Sequence, residues 1–220
     1  MRGLVDELRR RRLVQTASSL DEAPPETVAS GLPALDRVCG GGLPRGRLSE
    51  LCTGASAGAA LLHALLLAAG DRGELCALVD AGDGFEPRSA RAAGVALARV
   101  LWVRPPGPRE ALRAAELLLE TGGFGLVALD WGRAKPTAPA AAWLRLARLA
   151  RAGGALLVSL APGPSAGVFA GLSIEVTRFR PRWREAGGGG GPRWLAGFEL
   201  DFALRRRRGG PGAAGEARRG

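Results

Sequence analysis

Lysine is nearly absent from this 220-residue chain: of thirty-one basic residues, only Lys135 is a lysine. Histidine occurs once, as His63, and cysteine three times, as Cys39, Cys52 and Cys76. An odd, low cysteine count without metal-type spacing excludes a disulfide framework and a zinc site. It points instead to reduced core thiols in a cytoplasmic protein. No Ser-His-Asp or Cys-His arrangement is present, so nucleophilic catalysis of that kind is not expected. The opening residues MRGLVDELRRRRLV lack the apolar stretch of a secretory signal. The longest apolar run, Ala59 to Ala69, is interrupted by His63 and is too short to cross a bilayer. No internal repeat is visible. Neither a membrane partner nor a bound metal is expected.

What is present is globular in composition, with 46% hydrophobic and 24% charged residues. The length suits one larger α/β domain or two small ones, and allows a core without staples. The formal net charge is +10 and the sequence pI about 11.3. The preference for arginine goes with heavy use of Ala, Gly, Leu and Pro. That combination fits GC-rich coding and has no functional weight by itself. The net excess of positive charge favours a polyanion such as DNA or RNA, or an acidic protein surface.

Residues 1–14 read as a short amphipathic helix, with Leu4, Val5, Leu8 and Val14 along one face and Arg9 to Arg12 crowding the rest. Residues 15–28 are polar and proline-containing, as in a linker. From residue 29, strand-length apolar runs alternate with Ala/Leu-rich helical patterns. The strands are expected at Leu48–Cys52, Leu75–Val79, Val100–Val103, Leu126–Asp130 and Ala155–Leu160. The helices are expected at Ala59–Ala69, Pro87–Ala93, Glu110–Glu120 and Ala140–Ala152. Continuous apolar strands between helices predict an α/β fold, with a central, mostly parallel sheet covered on both faces. Ile174–Arg180 and Trp194–Leu204, separated by Gly187–Gly191, predict antiparallel edge strands. The core is expected to span residues 29–205, with a disordered Arg/Gly-rich tail over 206–220.

The most informative stretch is Ser30–Ala60, SGLPALDRVCGGGLPRGRLSELCTGASAGAA. A strand, a small-residue loop (Thr53–Gly58) and an apolar helix follow one another as in a P-loop, which aims backbone N–H groups and a helix N-terminus at phosphate. Ser30–Gly31, Leu35–Asp36, the turn Gly41–Gly42–Leu43–Pro44–Arg45–Gly46–Arg47 and Glu50 stand in the order found in the RecA family. Downstream, Leu78–Ala81, Phe85–Glu86–Pro87, Arg91–Val95 and Leu126–Asp130 continue the pattern. As a set, these residues resemble the RecA family over about residues 29–205. The resemblance implies a RecA-like core without the C-terminal RecA domain.

The same resemblance shows where the ATPase chemistry is missing. Counted from Glu50, the Walker A loop reads Thr53-Gly54-Ala55-Ser56-Ala57-Gly58-Ala59-Ala60. Ala59 replaces the lysine that contacts the β- and γ-phosphates, and Ala60 replaces the hydroxyl residue that holds Mg²⁺. The family's water-activating glutamate falls on Gly82, and its γ-phosphate-sensing glutamine falls near Ala161–Pro162. Only Asp130, the Walker B remnant, persists. The expectation is a pseudo-ATPase with no catalytic residues and no cofactor.

Leu101–Pro105, Ala114–Asp130 and the WLRLARLA run at Trp143–Ala150 resemble the ImuA family. These are short RecA-like accessory proteins of a damage-inducible mutagenesis cassette. The resemblance implies a non-catalytic role in translesion synthesis, with an ImuB-like polymerase homologue and RecA as partners. The net charge and the arginine clusters add an expectation of weak, non-specific DNA binding, and the apolar stripe of residues 1–14 adds docking on RecA or on another copy of the chain, that is, self-association. An ATP-dependent regulator of the RecA-paralogue type is the alternative. A direct RecA inhibitor that mimics a filament protomer is compatible with the adaptor reading.

The remaining candidates are binding residues. Arg178, Arg180, Arg182 and Arg184 alternate with Phe179, Pro181 and Trp183, so a strand would put the arginines on one face. They form either a phosphate-contacting ridge or a solvated face over a packed aromatic side. Arg205, Arg206, Arg207 and Arg208 either grip phosphate or keep an edge strand soluble. Leu4 and Leu8 offer an apolar stripe to a partner. Asp80, Asp83, Glu86 and Asp130 read as remnants of the ancestral site, solvated or capping helices. His63 reads as a packed or partly exposed core residue. The segments Asp130–Pro139 and Ala161–Gly171 are short for the family's DNA-binding loops.

Overall fold

The computed structural model describes residues 25–54, 57–185 and 193–208, and Glu26–Arg208 form one compact unit. The 1–14 helix with Leu4 and Leu8, most of the 15–28 linker and the tail from residue 209 lie outside the described residues. So do residues 55–56 and the glycine run of residues 187–191.

Seven strands make the central sheet: β3 (Leu48–Cys52), β4 (Leu75–Asp80), β5 (Val100–Val103), β6 (Phe124–Asp130), β7 (Leu156–Ala161), β8 (Leu172–Glu185) and β9 (Arg193–Arg207). Their order across the sheet is β5-β4-β6-β7-β3-β8-β9. All pairings are parallel except β8 with β9. The predicted antiparallel addition therefore sits at one edge. Two short strands, β1 (Thr27–Val28) and β2 (Leu43–Pro44), pair separately.

Both faces of the sheet are buried, which explains the unbroken apolar runs. Alternate residues go to opposite sides. Leu78, Leu126, Ala128 and Val158 pack into one cluster with Leu35 of α1 (Pro33–Val38), Leu61 and Leu65 of α2 (Gly58–Asp71) and Ala90 of α3 (Pro87–Ala92). Val79, Val127, Leu129 and Leu157 pack into the other, with Leu112 and Leu119 of α4 (Pro108–Thr121) and Trp143 and Leu146 of α5 (Ala140–Gly153). Glu116 of α4 is buried, and its charge is answered by Arg113 at 3.2 Å and by Arg145 of α5 at 2.7 Å. The Arg145 contact ties the two helices together. α5 ends at Gly154, whose left-handed φ of 68° suits the glycine that closes a helix.

The structure moves two expected boundaries. The linker was expected to run to residue 28, but Thr27 and Val28 pair with Pro44 and Leu43, and the Arg45 amide donates to Glu26 O at 2.8 Å. Gly42 allows this approach: a Cβ there would meet Val28 O at 2.3 Å. The tail was expected from residue 206, but β9 continues to Arg207. The arginines hold this end down, because Arg207 donates to Cys39 O, at the end of α1, and the Arg208 amide donates to Gly171 O at 2.8 Å.

Candidate functional site

The loop that resembles a Walker A motif follows β3, where β3, β4, β6 and β7 reach their carboxyl ends. Parallel register sets Cys52 beside Ala161, Asp130 beside Leu160, and Asp80 beside Asp130. The loop after β3 then turns through Gly54, at φ 59°, towards α2. Ala57 caps α2 without a side-chain hydrogen bond, and the first turn has no acidic residue. Ala59 and Ala60 occupy this first turn and present only methyl groups. Thr53 keeps its hydroxyl but uses it internally, donating to Ala161 O and Gly54 O at 3.2 Å each.

The two aspartates on the adjacent strand ends serve the backbone. Asp80 is 1% exposed. It accepts hydrogen bonds from the amides of Gly84 and Phe85 at 3.0 Å and from the Trp102 indole at 3.1 Å. Asp130 accepts from the Gly132 amide at 2.9 Å. Burial raises the Asp130 carboxyl above the ordinary aspartate range; the Gly132 bond opposes this and the Asp80 charge reinforces it. A carboxyl held towards its neutral form is a poor cation ligand. Among the described residues, no three His, Cys, Asp or Glu side chains gather as a metal site. Glu86 caps α3 through the amides of Arg88 and Ser89, and Asp83 pairs with Arg104 at 2.7 Å. His63 is half-buried against Phe85, and its burial holds the imidazole below the usual histidine value.

Gly82 sits against backbone. A Cβ placed there would lie 2.6 Å from both Cα and N of Gly132, and 3.0 Å from the Trp131 carbonyl carbon. The Gly82 and Ala81 amides both donate to Asp130 O, at 3.1 and 2.8 Å, which holds the two segments together. No side chain enters this position without moving backbone. Sequence alone marks Gly82 as the position of the family's missing glutamate; the contact explains why nothing larger stands there.

Glu50 is the functional-looking residue that sequence reading left without a role. Its carboxylate is 1% exposed. It accepts from the Ser165 amide, from the Ser165 hydroxyl at 3.2 Å, from the Ala166 amide at 2.7 Å and from the Ser173 hydroxyl at 2.9 Å. The segment after β7 is thus fastened to β3 from below. Arg206 donates to Gly167 O, and Arg208 to Val168 O at 2.6 Å, from the side. A charged residue in a short, otherwise uncharged strand was the available signal.

The arginine row has a mixed environment. Over Arg178–Arg182 the predicted alternation holds, and the register sets Arg178 opposite Asp201, Arg180 opposite Glu199 and Arg182 opposite Gly197. Arg178 pairs with Asp201 at 3.3 Å and Arg182 with Glu199 at 3.6 Å. Arg180 and Arg184 are exposed and have no ion pair among the described residues. On the other face, Phe179 is partly buried against the core and stacks on Phe198, with centroids 4.8 Å apart, while Trp183 is 57% exposed. Arg205 pairs with Glu175 at 2.7 Å. The structure therefore separates the Arg205–Arg208 group, which is used internally, from the Arg178–Arg184 row.

Fold and loop together define an α/β domain in which a strand, a small-residue loop and an apolar helix follow one another as in a P-loop. The family model for the RecA N-terminal domain matches residues 12–139, more than half of the chain, and the chain belongs to that family. It is 35% identical over 119 residues to the protein RecA of Leifsonia xyli subsp. xyli, covering 53% of this chain and 33% of that protein. It is 36% identical over 107 residues to the protein RecA of Rhodospirillum rubrum, covering 48% and 29%. The corresponding figures for the protein RecA of Deinococcus radiodurans are 35% over 107 residues, covering 48% and 30%. The chain thus spans about a third of the length of these relatives. Among the described residues, no helix is long and apolar enough to cross a membrane.

Proposed function

We propose that this chain is a non-catalytic, RecA-like accessory protein of DNA repair, acting in damage-induced mutagenesis by binding partners. The observation that carries this reading is the contact between Gly82 and Gly132. It fills the place of the water-activating glutamate with backbone, beside an α2 first turn that offers Ala59 and Ala60 to any phosphate. Catalysis of phosphoryl transfer rests on positioning and charge, and this site offers neither a lysine nor a magnesium-binding hydroxyl. The partners are an ImuB-like polymerase homologue and RecA, with inhibition of RecA as one form of the interaction. DNA is bound weakly and without sequence preference, and Arg180 and Arg184 are the exposed arginines of the row without an ion pair among the described residues. Such a protein acts in the cytoplasm.

The test is direct binding of the purified chain to the polymerase homologue and to RecA, by interferometry, in buffer without nucleotide. Strains lacking the chain provide a second readout. Binding to either protein without nucleotide, with a lower damage-induced mutation frequency in the deletion strain restored by the Asp130→Ala variant, is expected. Binding that requires ATP, or a mutation frequency unaffected by the deletion, would contradict the proposal.

A further inference from the structure

A row of polar side chains crosses the middle of the sheet. Parallel register places Ser159 of β7 and Ser173 of β8 on either side of Glu50 of β3. Leu48 and Leu157, two residues earlier on their strands, belong to the cluster packed with α4 and α5, so Glu50 and Ser159 face the same side. All of the row is buried. The row also reaches beyond the strands. Trp131, the first residue after β6, is buried, and its indole N–H donates to Ser159 Oγ at 3.0 Å. Ser159 Oγ lies 3.4 Å from Ser165 Oγ, the longest link, and the Ser165 hydroxyl donates to Glu50 Oε1 at 3.2 Å.

The protons of this chain run in one direction. An indole only donates and a carboxylate only accepts. The single Ser165 hydroxyl proton goes to Glu50, so the Ser159 hydroxyl is the donor between the two serines. Hydrogen bonds therefore lead from the Trp131 indole through two hydroxyls to the Glu50 carboxylate. The Ser173 hydroxyl and the Ser165 and Ala166 amides supply its other donors. Trp131 and Ser165, which lie in different loops, are thus fastened to the same buried serine.

We infer that this buried chain is a lock that joins the loop after β6 (residues 131–139) to the segment after β7 (residues 162–171), so that the two open together and no ligand orders or releases one of them alone. This deepens the non-catalytic reading and rests on it: loops held by the protein's own side chains need no bound nucleotide to set their position. Loops at strand ends ordinarily open at little cost, because few buried contacts hold them. Here the contacts lie among apolar side chains, where an unmade hydrogen bond is expensive. Without the indole, the Ser159 oxygen loses its donor. Without the Ser165 hydroxyl, the Ser159 proton loses its acceptor. Opening one loop alone leaves Ser159 buried with a bond unmade, whereas opening both lets water reach it.

Trp143 supplies the control. Its ring lies against Trp131, with centroids 6.2 Å apart, but its buried indole N–H has no hydrogen-bond partner among the described residues. The test is amide hydrogen exchange of the full chain, resolved by NMR and referred to the core amide of Leu129, in Trp131→Phe, Ser165→Ala, Ser165→Thr and Trp143→Phe. One readout is Ala134, whose amide donates to Trp131 O at 3.0 Å; the others are Ser165 and Ala166, whose amides donate to Glu50. Trp131→Phe is expected to accelerate exchange at Ala134 and, across the link, at Ser165 and Ala166, by about fivefold each, as for one lost hydrogen bond. Ser165→Ala should do the same at Ala134. Ser165→Thr keeps the hydroxyl, and Trp143→Phe removes ring volume but no hydrogen bond, so both should leave the two loops near parent rates. Acceleration confined to the loop that carries the substitution would overturn the lock, because the loops would then open singly. Trp143→Phe matching Trp131→Phe, or Ser165→Thr matching Ser165→Ala, would also overturn it, by assigning the effect to packing. ATP turnover by the chain would overturn the non-catalytic reading and leave these exchange ratios unchanged.

Discussion

At the scale of single residues, the polar groups at the carboxyl ends of β3, β4 and β6 are turned to backbone contacts. Thr53, Asp80 and Asp130 carry polar side chains there, Thr53 where the P-loop motif has its first glycine, and each is hydrogen-bonded to nearby backbone. Asp130 gives a test with a definite sign. Its carboxyl is raised by burial, so the folded state binds the proton more tightly than the unfolded chain. The stability this contributes is present below the unfolded value and is lost as pH rises through the folded one. Asp130→Asn keeps the acceptor for the Gly132 amide and removes the buried charge. Its urea midpoint, relative to the parent, should be little changed near about pH 4 and rise towards neutral pH. A growing loss with pH would mean that the ionised carboxylate is needed. Gly82 gives a second test. Gly82→Ala forces backbone apart and should cost about 1–3 kcal/mol, read from urea unfolding. A neutral effect would show that the position is open and that its glycine is accidental.

At the scale of elements, the parallel strands and their helices were legible because both sheet faces are covered, so each strand is a plain apolar run. Expected and observed bounds differ by one or two residues, as at Leu126–Asp130 against Phe124–Asp130. The ends were less legible for a physical reason. Thr27–Val28 is too short to show a pattern and Arg206–Arg207 are charged, and they are ordered by backbone pairing and by arginine bonds to distant carbonyls, which local composition does not encode. Glu50 was equally opaque, because its partners Ser165, Ala166 and Ser173 lie more than a hundred residues away. Removing it leaves buried donors unanswered. Glu50→Ala should destabilise the domain by about 3 kcal/mol, and amide exchange should accelerate at Ser165 and Ala166. Unchanged exchange there would show that the 162–171 segment is held by other contacts.

At the scale of the whole molecule, excess positive charge and a phosphate loop without its charged groups point the same way. On the proposed function, the chain attracts polyanions through arginine rather than through a nucleotide-dependent state. If Arg180 and Arg184 make two phosphate contacts, the log–log salt slope of duplex binding should be about −1.8 or steeper. Affinity that is flat in salt would rule out this electrostatic account. The sequence motifs were sufficient for the family, whereas the faces of the β8–β9 pair could be recognised only from the register. The central claim is that the protein works without nucleotide chemistry. Its most direct test is calorimetric titration of the intact chain with ATP and Mg²⁺, paired with a turnover assay in the presence and absence of DNA. The account predicts no binding tighter than about millimolar, since bare backbone amides hold phosphate weakly, and no turnover in either condition. DNA-stimulated hydrolysis that disappears in Asp130→Ala would contradict it.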